Sequence, residues 1–129
     1  MLRTPSFKTG MLIACGTMVV LYSAGLGIIF KAVDSIAEEA KAVYGGDHVE
    51  ALIELVSDET APFDKRNTAI WALGQIGDRR ALPAIRALDT PEYQERPYET
   101  SSYIVQEYVD TSIEGIEEPS AKRWIYRFL

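Results

Sequence analysis

The sequence predicts an all-α protein: one membrane-spanning helix followed by a short α-solenoid of about two to three helix pairs. Three observations carry this. Residues 11–30, MLIACGTMVVLYSAGLGIIF, contain no charge. Beyond them, apolar residues recur at helical spacing between Gly-Gly, Gly-Asp and proline breaks. No alternating β pattern and no glycine-rich phosphate loop interrupts that reading.

At ~1.5 Å rise per residue the uncharged run makes roughly 30 Å of helix, the thickness of a bilayer core. The rest of the chain is mixed in charge, so the expectation is one span rather than a bundle. A cleaved signal peptide is the alternative, since a basic stretch precedes the run. No clean small-x-small cleavage site follows it, which favours an anchor. LIAC at Leu12 to Cys15 looks like a lipoprotein box, but most of the apolar core follows that cysteine. Cys15 is the one cysteine, so no internal disulfide forms. It reads as a small apolar residue of a membrane helix.

Helical spacing continues past the run through Val33, Ile36, Ala37, Ala40 and Val43, predicting one helix over about 11–44. Gly45-Gly46 ends it, because glycine accepts the left-handed conformation at a helix C-terminus. Asp47 caps the next helix, HVEALIELVSD. Asp58 to Pro62 is a turn, with Thr60 as the cap and Pro62 in the first turn of a helix over 62–76. Ala69, Ile70, Ala72, Leu73 and Ile76 face inward there. Gly77 stops this helix and Asp78 caps a further one over 79–88. Pro83, five residues after that cap, bends the helix or shifts its start. Residues 89–98 form a loop broken by Pro91 and Pro97. A helix follows over 99–116, then a turn, and Ser120 caps a last helix, AKRWIYRFL. The domain scheme is a tail over 1–10, the span over 11–30, a helical extension and linker over 31–46, and a helical-repeat domain over 47–129.

Aligning VEALIEL (49–55) with LPAIRAL (82–88) sets Ala51 on Ala84, Leu52 on Ile85 and Leu55 on Leu88, an offset of 33 residues. Such a period suits stacked helix pairs, each burying one face internally and the other against its neighbour. Small residues Ala69, Ala72, Ala81 and Ala84 permit close contact, and Gly77-Asp78 makes the reversal. The stretch ALGQIGDRRALPAI, Ala72 to Ile85, resembles the HEAT-repeat family, in particular its short phycobilin-lyase variety. The resemblance covers about 62–90 and half of the unit before. The later region departs from the pattern and reads as a degenerate repeat. The family implies a protein-binding scaffold; the repeat itself carries no catalytic residue. A solenoid this short needs its ends covered by the helix after the span, the C-terminal helix or another protein.

Net charge is −6, and since Arg3 and Lys8 precede the span, −8 falls on residues 31–129. An acidic domain lacks the clustered Lys and Arg that phosphate contact requires, so nucleic acid is set aside as a partner. The acid-free basic tail points to a cytoplasmic N-terminus and a domain outside, which in a bacterium means inner membrane and periplasm.

Candidate sites are few. His48, the one histidine, follows Asp47 with Glu50 near and reads as a solvated residue at a helix start, with no second His or Cys to share a metal. Glu114, Glu117, Glu118, Asp58 and Glu59 read as a solvated acidic surface. Tyr93, Tyr98, Tyr103 and Tyr108 recur every five residues, so they share no helical face; Tyr103 and Tyr108 read as core or interface residues. Gly16, Ser23 and Gly27 are spaced to share one face of the span, where small residues admit another membrane helix. Trp124, Ile125, Phe128 and Leu129 form an apolar stripe opposite Lys122, Arg123 and Arg127, either a solenoid cap or a partner-docking helix.

No catalytic, cofactor or metal constellation is expected. The reading is a non-catalytic accessory or scaffold subunit, its partners the bilayer and other subunits of a membrane protein complex. The alternatives are a membrane-tethered maturation factor resembling pigment lyases, and a membrane-anchored regulator.

Overall fold

Two glycines at positive φ, Gly45 (74°) and Gly46 (76°), separate a long first helix from a set of short ones. The computed structural model describes residues 7–89 and 104–118. Among these the regular structure is all helical, without strands. The helices are α1 (Phe7–Tyr44), α2 (His48–Ser57), α3 (Phe63–Ile76), α4 (Leu82–Arg86) and α5 (Gln106–Glu117), with a 3₁₀ turn, Arg79–Ala81, leading into α4. The chain divides into two compact units, Met1–Ala32 and Val33–Leu129. The all-α fold, with a long apolar N-terminal helix and a short run of helix pairs, is as the sequence predicts.

The first unit holds the apolar half of α1. None of the residues in its most apolar 18-residue window is buried, and the helix is long and apolar enough to cross a membrane. Met11, Leu12, Ile13, Met18, Val19, Val20, Leu21, Tyr22 and Ile28 are all exposed.

The second unit has its own core. From α1 it takes Val33, Ile36, Ala37 and Ala40, the i, i+3, i+4, i+7 stripe of an amphipathic helix. Val43, expected on this stripe, is 71% exposed. The stripe passes instead through Tyr44, whose hydroxyl donates to Asp58 Oδ2 at 2.7 Å. Bonds from Tyr44 to Asp58 and from Lys65 to Glu39 tie the end of α1 to the chain around α2 and α3.

Helix α2 begins with a capping box: Asp47 accepts from Glu50 N at 2.8 Å, and the Glu50 carboxylate accepts from Asp47 N at 3.2 Å. It buries Val49, Ala51, Leu52, Leu55 and Val56. Helix α3 buries Ala69, Ile70, Ala72 and Leu73 on its apolar side, with Ile76 only half-buried. Thr60 does not cap it. Pro62 occupies the cap position without a side-chain bond, and Thr60 N and Oγ1 instead donate to Asp58 Oδ1 at 2.8 and 2.6 Å. Aspartate two residues upstream closes a local turn more readily than threonine reaches forward over a proline.

Gly77 ends α3 at φ 70°, its N–H donating to Leu73 O. Asp78 then caps the 3₁₀ turn by accepting from Arg80 N at 2.9 Å. Pro83 shifts the start of α4 rather than bending a longer helix: its missing N–H falls in the first turn, where no partner is needed. The inserted turn also explains the repeat register. Five residues separate the Asp47 cap from Leu52, but seven separate Asp78 from Ile85. Leu52 and Ile85 are both fully buried, whereas Ala84 and Leu88 are less buried than their counterparts Ala51 and Leu55.

Helix α5 starts at Gln106, later than the sequence suggests. Ile104 and Val105 are not helical, because Val105 N donates to the Asn67 side chain at 2.9 Å across to α3. Residues 99–103 of that expected helix, and the whole helix expected over 121–129, lie outside the described residues.

Helix α3 is the hub, packing on α2 and, most extensively, on α5. The α3–α5 crossing is tight. A Cβ at Gly74 would stand 2.5 Å from Ser112 Oγ and 2.8 Å from Ser112 Cα, and one at Gly115 would stand 3.0 Å from Gly74 O. Gly74→Ala must push α5 away and is expected to destabilise the domain by about 1–3 kcal/mol. Leu73→Ala, at a fully buried position, should cost about 2–5 kcal/mol. Denaturant unfolding of the full chain in detergent, followed by helical circular dichroism, measures both. Wild-type stability in Gly74→Ala would contradict the tight crossing.

Candidate functional site

The residues singled out by sequence fall in separate places. Gly16, Ser23 and Gly27 lie on the exposed apolar half of α1, and a Cβ at either glycine would meet nothing within 4 Å. Ser23 satisfies its hydroxyl inside the helix, donating to Val19 O at 2.8 Å, and Thr17 does the same to Ala14 O at 2.9 Å. Polar side chains so paired are tolerated in lipid or against another helix. Cys15 is exposed on the same segment. Trp124, Ile125, Phe128 and Leu129, and with them Tyr93, Tyr98 and Tyr103, lie outside the described residues. Tyr108 is 39% exposed, which leaves a surface role rather than a core one.

In the repeat unit, polar side chains join elements distant in sequence. Arg80 reaches from the 3₁₀ turn to both cap aspartates, donating to Asp47 Oδ2 at 2.8 Å and to Asp78 Oδ2 at 3.1 and 3.2 Å. Glu50 Oε1 stands 3.7 Å from the same guanidinium. The backbone N–H of Glu50 and then Arg80 hold the Asp47 carboxyl below its ordinary range. One cation thereby ties the starts of two successive repeat helices.

Arg66, 6% exposed, donates from Nε to Val56 O at 3.0 Å and lies 5.7 Å over the Phe63 ring. Val56 O belongs to the last turn of α2, where carbonyls lack helical partners and favour a cation. Ser112 Oγ donates to Ile70 O at 2.8 Å in the α3–α5 crossing. Neither the Arg66–Val56 nor the Ser112–Ile70 bond was evident from spacing, since each joins residues ten or more apart with no pattern to mark them. Arg86 pairs with Glu117, joining α4 to α5, and Lys65 with Glu39 at 2.8 Å, joining α3 to α1. Both are exposed pairs and add little stability.

His48 is not merely solvated. Its Nε2 meets Glu38 Oε1 at 2.6 Å, and with Asp34 these residues bring one donor atom each within 4.8 Å of one another. The hydrogen bond with His48, and then Lys41, hold the Glu38 carboxyl below its ordinary range. Glu50, the neighbour expected from sequence, is engaged elsewhere. The signal missed was the turn itself: a reversal at Gly45-Gly46 returns the start of α2 along the end of α1.

A family model described as PBS lyase HEAT-like repeat matches residues 65–89, that is α3, the 3₁₀ turn and α4. No curated protein and no solved structure matches the chain. The match falls on the unit whose resemblance rests on Ala72 to Ile85. Its glycines and aspartate have structural explanations: Gly74 admits α5, Gly77 turns the chain and Asp78 caps.

Asp58 supplies a pH test of this electrostatic framework. Hydrogen bonds from the Thr60 hydroxyl, then from Tyr44, hold its carboxyl at about 2 against an ordinary 3.8. A carboxyl lowered on folding stabilises above its unfolded value and loses that contribution as pH falls toward its folded one. Asp58→Asn should therefore be less stable than wild type near neutrality, with the gap closing as pH falls from about 4 to about 2. Unfolding midpoints of both proteins across that range decide it; a gap independent of pH would contradict the assignment.

Proposed function

We propose that the chain is a non-catalytic, single-span accessory subunit whose helical-repeat domain binds and braces a larger membrane protein complex. One observation carries the reading: an 18-residue apolar window of α1 with no residue buried by the rest of the chain. Such a surface calls for lipid or another apolar helix. The matched repeat adds a second requirement in the same direction, because HEAT-like helix pairs generally present surfaces to other proteins. In this reading the span anchors through Gly16, Ser23 and Gly27, which let a second membrane helix come close. The N-terminus lies in the cytoplasm and the domain on the periplasmic side of an inner membrane, following the acid-free basic tail. The bilayer and neighbouring subunits are the partners.

Purification of the tagged full chain in mild detergent tests the assignment. Membrane proteins are expected to co-purify at fixed stoichiometry. A chain that purifies alone would remove the subunit reading, and a coloured ligand carried with it would favour the pigment-lyase-like alternative. Gly27→Leu keeps the segment apolar and inserted but blocks close helix approach, so it should lower the yield of the complex several-fold. Wild-type yield would reduce the span to an anchor and leave recognition to the domain. Protease added to right-side-out vesicles should digest residues 31–129; full protection would reverse the orientation.

A further inference from the structure

We propose that Asp34, Glu38 and His48 form a surface site for a divalent transition-metal ion of the zinc class, bridging the end of α1 to the start of α2. Asp34 and Glu38 stand four residues apart on one helix, so they occupy one face. Two carboxylates so placed repel unless a cation lies between them. His48 is the first residue of α2, immediately after the Asp47 capping box that fixes this helix start. Its ring nitrogen is already directed at Glu38, 2.6 Å away.

The spacing suits a small cation. Donors ~2.0–2.1 Å from a tetrahedral zinc ion lie ~3.3 Å from each other. The three donor atoms span 2.6 Å at the His48–Glu38 contact and no more than 4.8 Å elsewhere. Binding opens the first distance, and the other two already lie within 4.8 Å. Asp34 and Glu38 are exposed and His48 half-exposed, so rotation of their side chains supplies that movement without displacing the backbone.

Charge and donor type select the ion. Two carboxylates and a neutral imidazole carry −2, which a divalent cation cancels. Calcium and magnesium favour all-oxygen sets, whereas an imidazole favours zinc and its neighbours. Three protein donors leave a further coordination position for water or for a group from a partner. The other acidic set on this unit, Asp47, Glu50 and Asp78, offers no such vacancy, because Arg80 already sits among its carboxylates. In the Asp34 set, His48 serves Glu38, while the Asp34 carboxylate, exposed, pairs with no side chain among the described residues. A metal ion would bring all three under one partner and pin the Gly45-Gly46 reversal between the two helices.

The test uses the full chain in detergent, purified without a polyhistidine tag and stripped with chelator. Titration with Zn²⁺ alone, followed by calorimetry, should show one saturable equivalent, and the unfolding temperature should rise with bound metal. Asp34→Asn and His48→Gln should each weaken binding by about tenfold or more. Their helical circular dichroism should match wild type, since both side chains lie at the surface. Glu39→Gln, which breaks only the pair with Lys65, should bind as wild type does. Absence of a saturable equivalent in the wild-type protein would overturn the proposal. So would unchanged affinity in both ligand variants.

Discussion

The domain depends on how closely α5 approaches α3. At their crossing there is no room for a side chain at Gly74, and Gly115 lies against the Gly74 carbonyl. Helices normally pack 8–10 Å apart, with the distance set by the residues at the contact. Glycine at the contact brings backbone to backbone, and the Ser112 hydroxyl then reaches Ile70 O. That bond is buried and neutral, a class that adds about 1 kcal/mol when made and costs more when one partner is left alone. The crossing therefore fixes both separation and register. A sliding of α5 along α3 would strand a buried hydroxyl and drive Ser112 into a helix ridge.

Around this crossing, α3 gathers the other elements by burying polar side chains rather than excluding them. Arg66 and Asn67 are adjacent, and both are almost fully buried. One reaches back to the C-terminal carbonyls of α2, the other forward to the backbone N–H of Val105. Each bond satisfies a backbone group that no helix can pair internally. Loss of either side chain would leave that group buried and unpaired. In this way a 14-residue helix sets where its predecessor ends and where its distant successor begins.

These bonds also mark the limit of what spacing reveals. The breaks at Gly45-Gly46 and Gly77-Asp78 were legible because they are local: left-handed glycine and a capping aspartate act within a few residues. Buried positions such as Leu52, Ile70, Leu73 and Ile85 were legible from helical period. Thr60 was misread as a cap because Asp58, equally local, competes for it. The start of α5 was misplaced because its determinant, Asn67, is 38 residues away. His48 was read as isolated because its partners Asp34 and Glu38 precede it across a reversal that spacing locates but does not orient. Gly74 could be seen in the repeat pattern, yet only the position of Ser112 explains why that residue has no side chain.

The first helix carries two side-chain patterns on one continuous secondary structure. Up to Phe30 its apolar residues run around the whole circumference, which suits surroundings that are apolar on every side. From Lys31 the pattern narrows to the stripe Val33, Ile36, Ala37 and Ala40, with Asp34, Glu38 and Glu39 facing outward. The change comes within one turn and coincides with the first charges after the uncharged run. The uncharged run, residues 11–30, spans ~30 Å of helix and ends just where the stripe begins. The stripe is buried within the second unit. A short solenoid left open at both ends would expose two apolar faces; the pairs Tyr44–Asp58 and Lys65–Glu39 hold the buried stripe of α1 to the same unit.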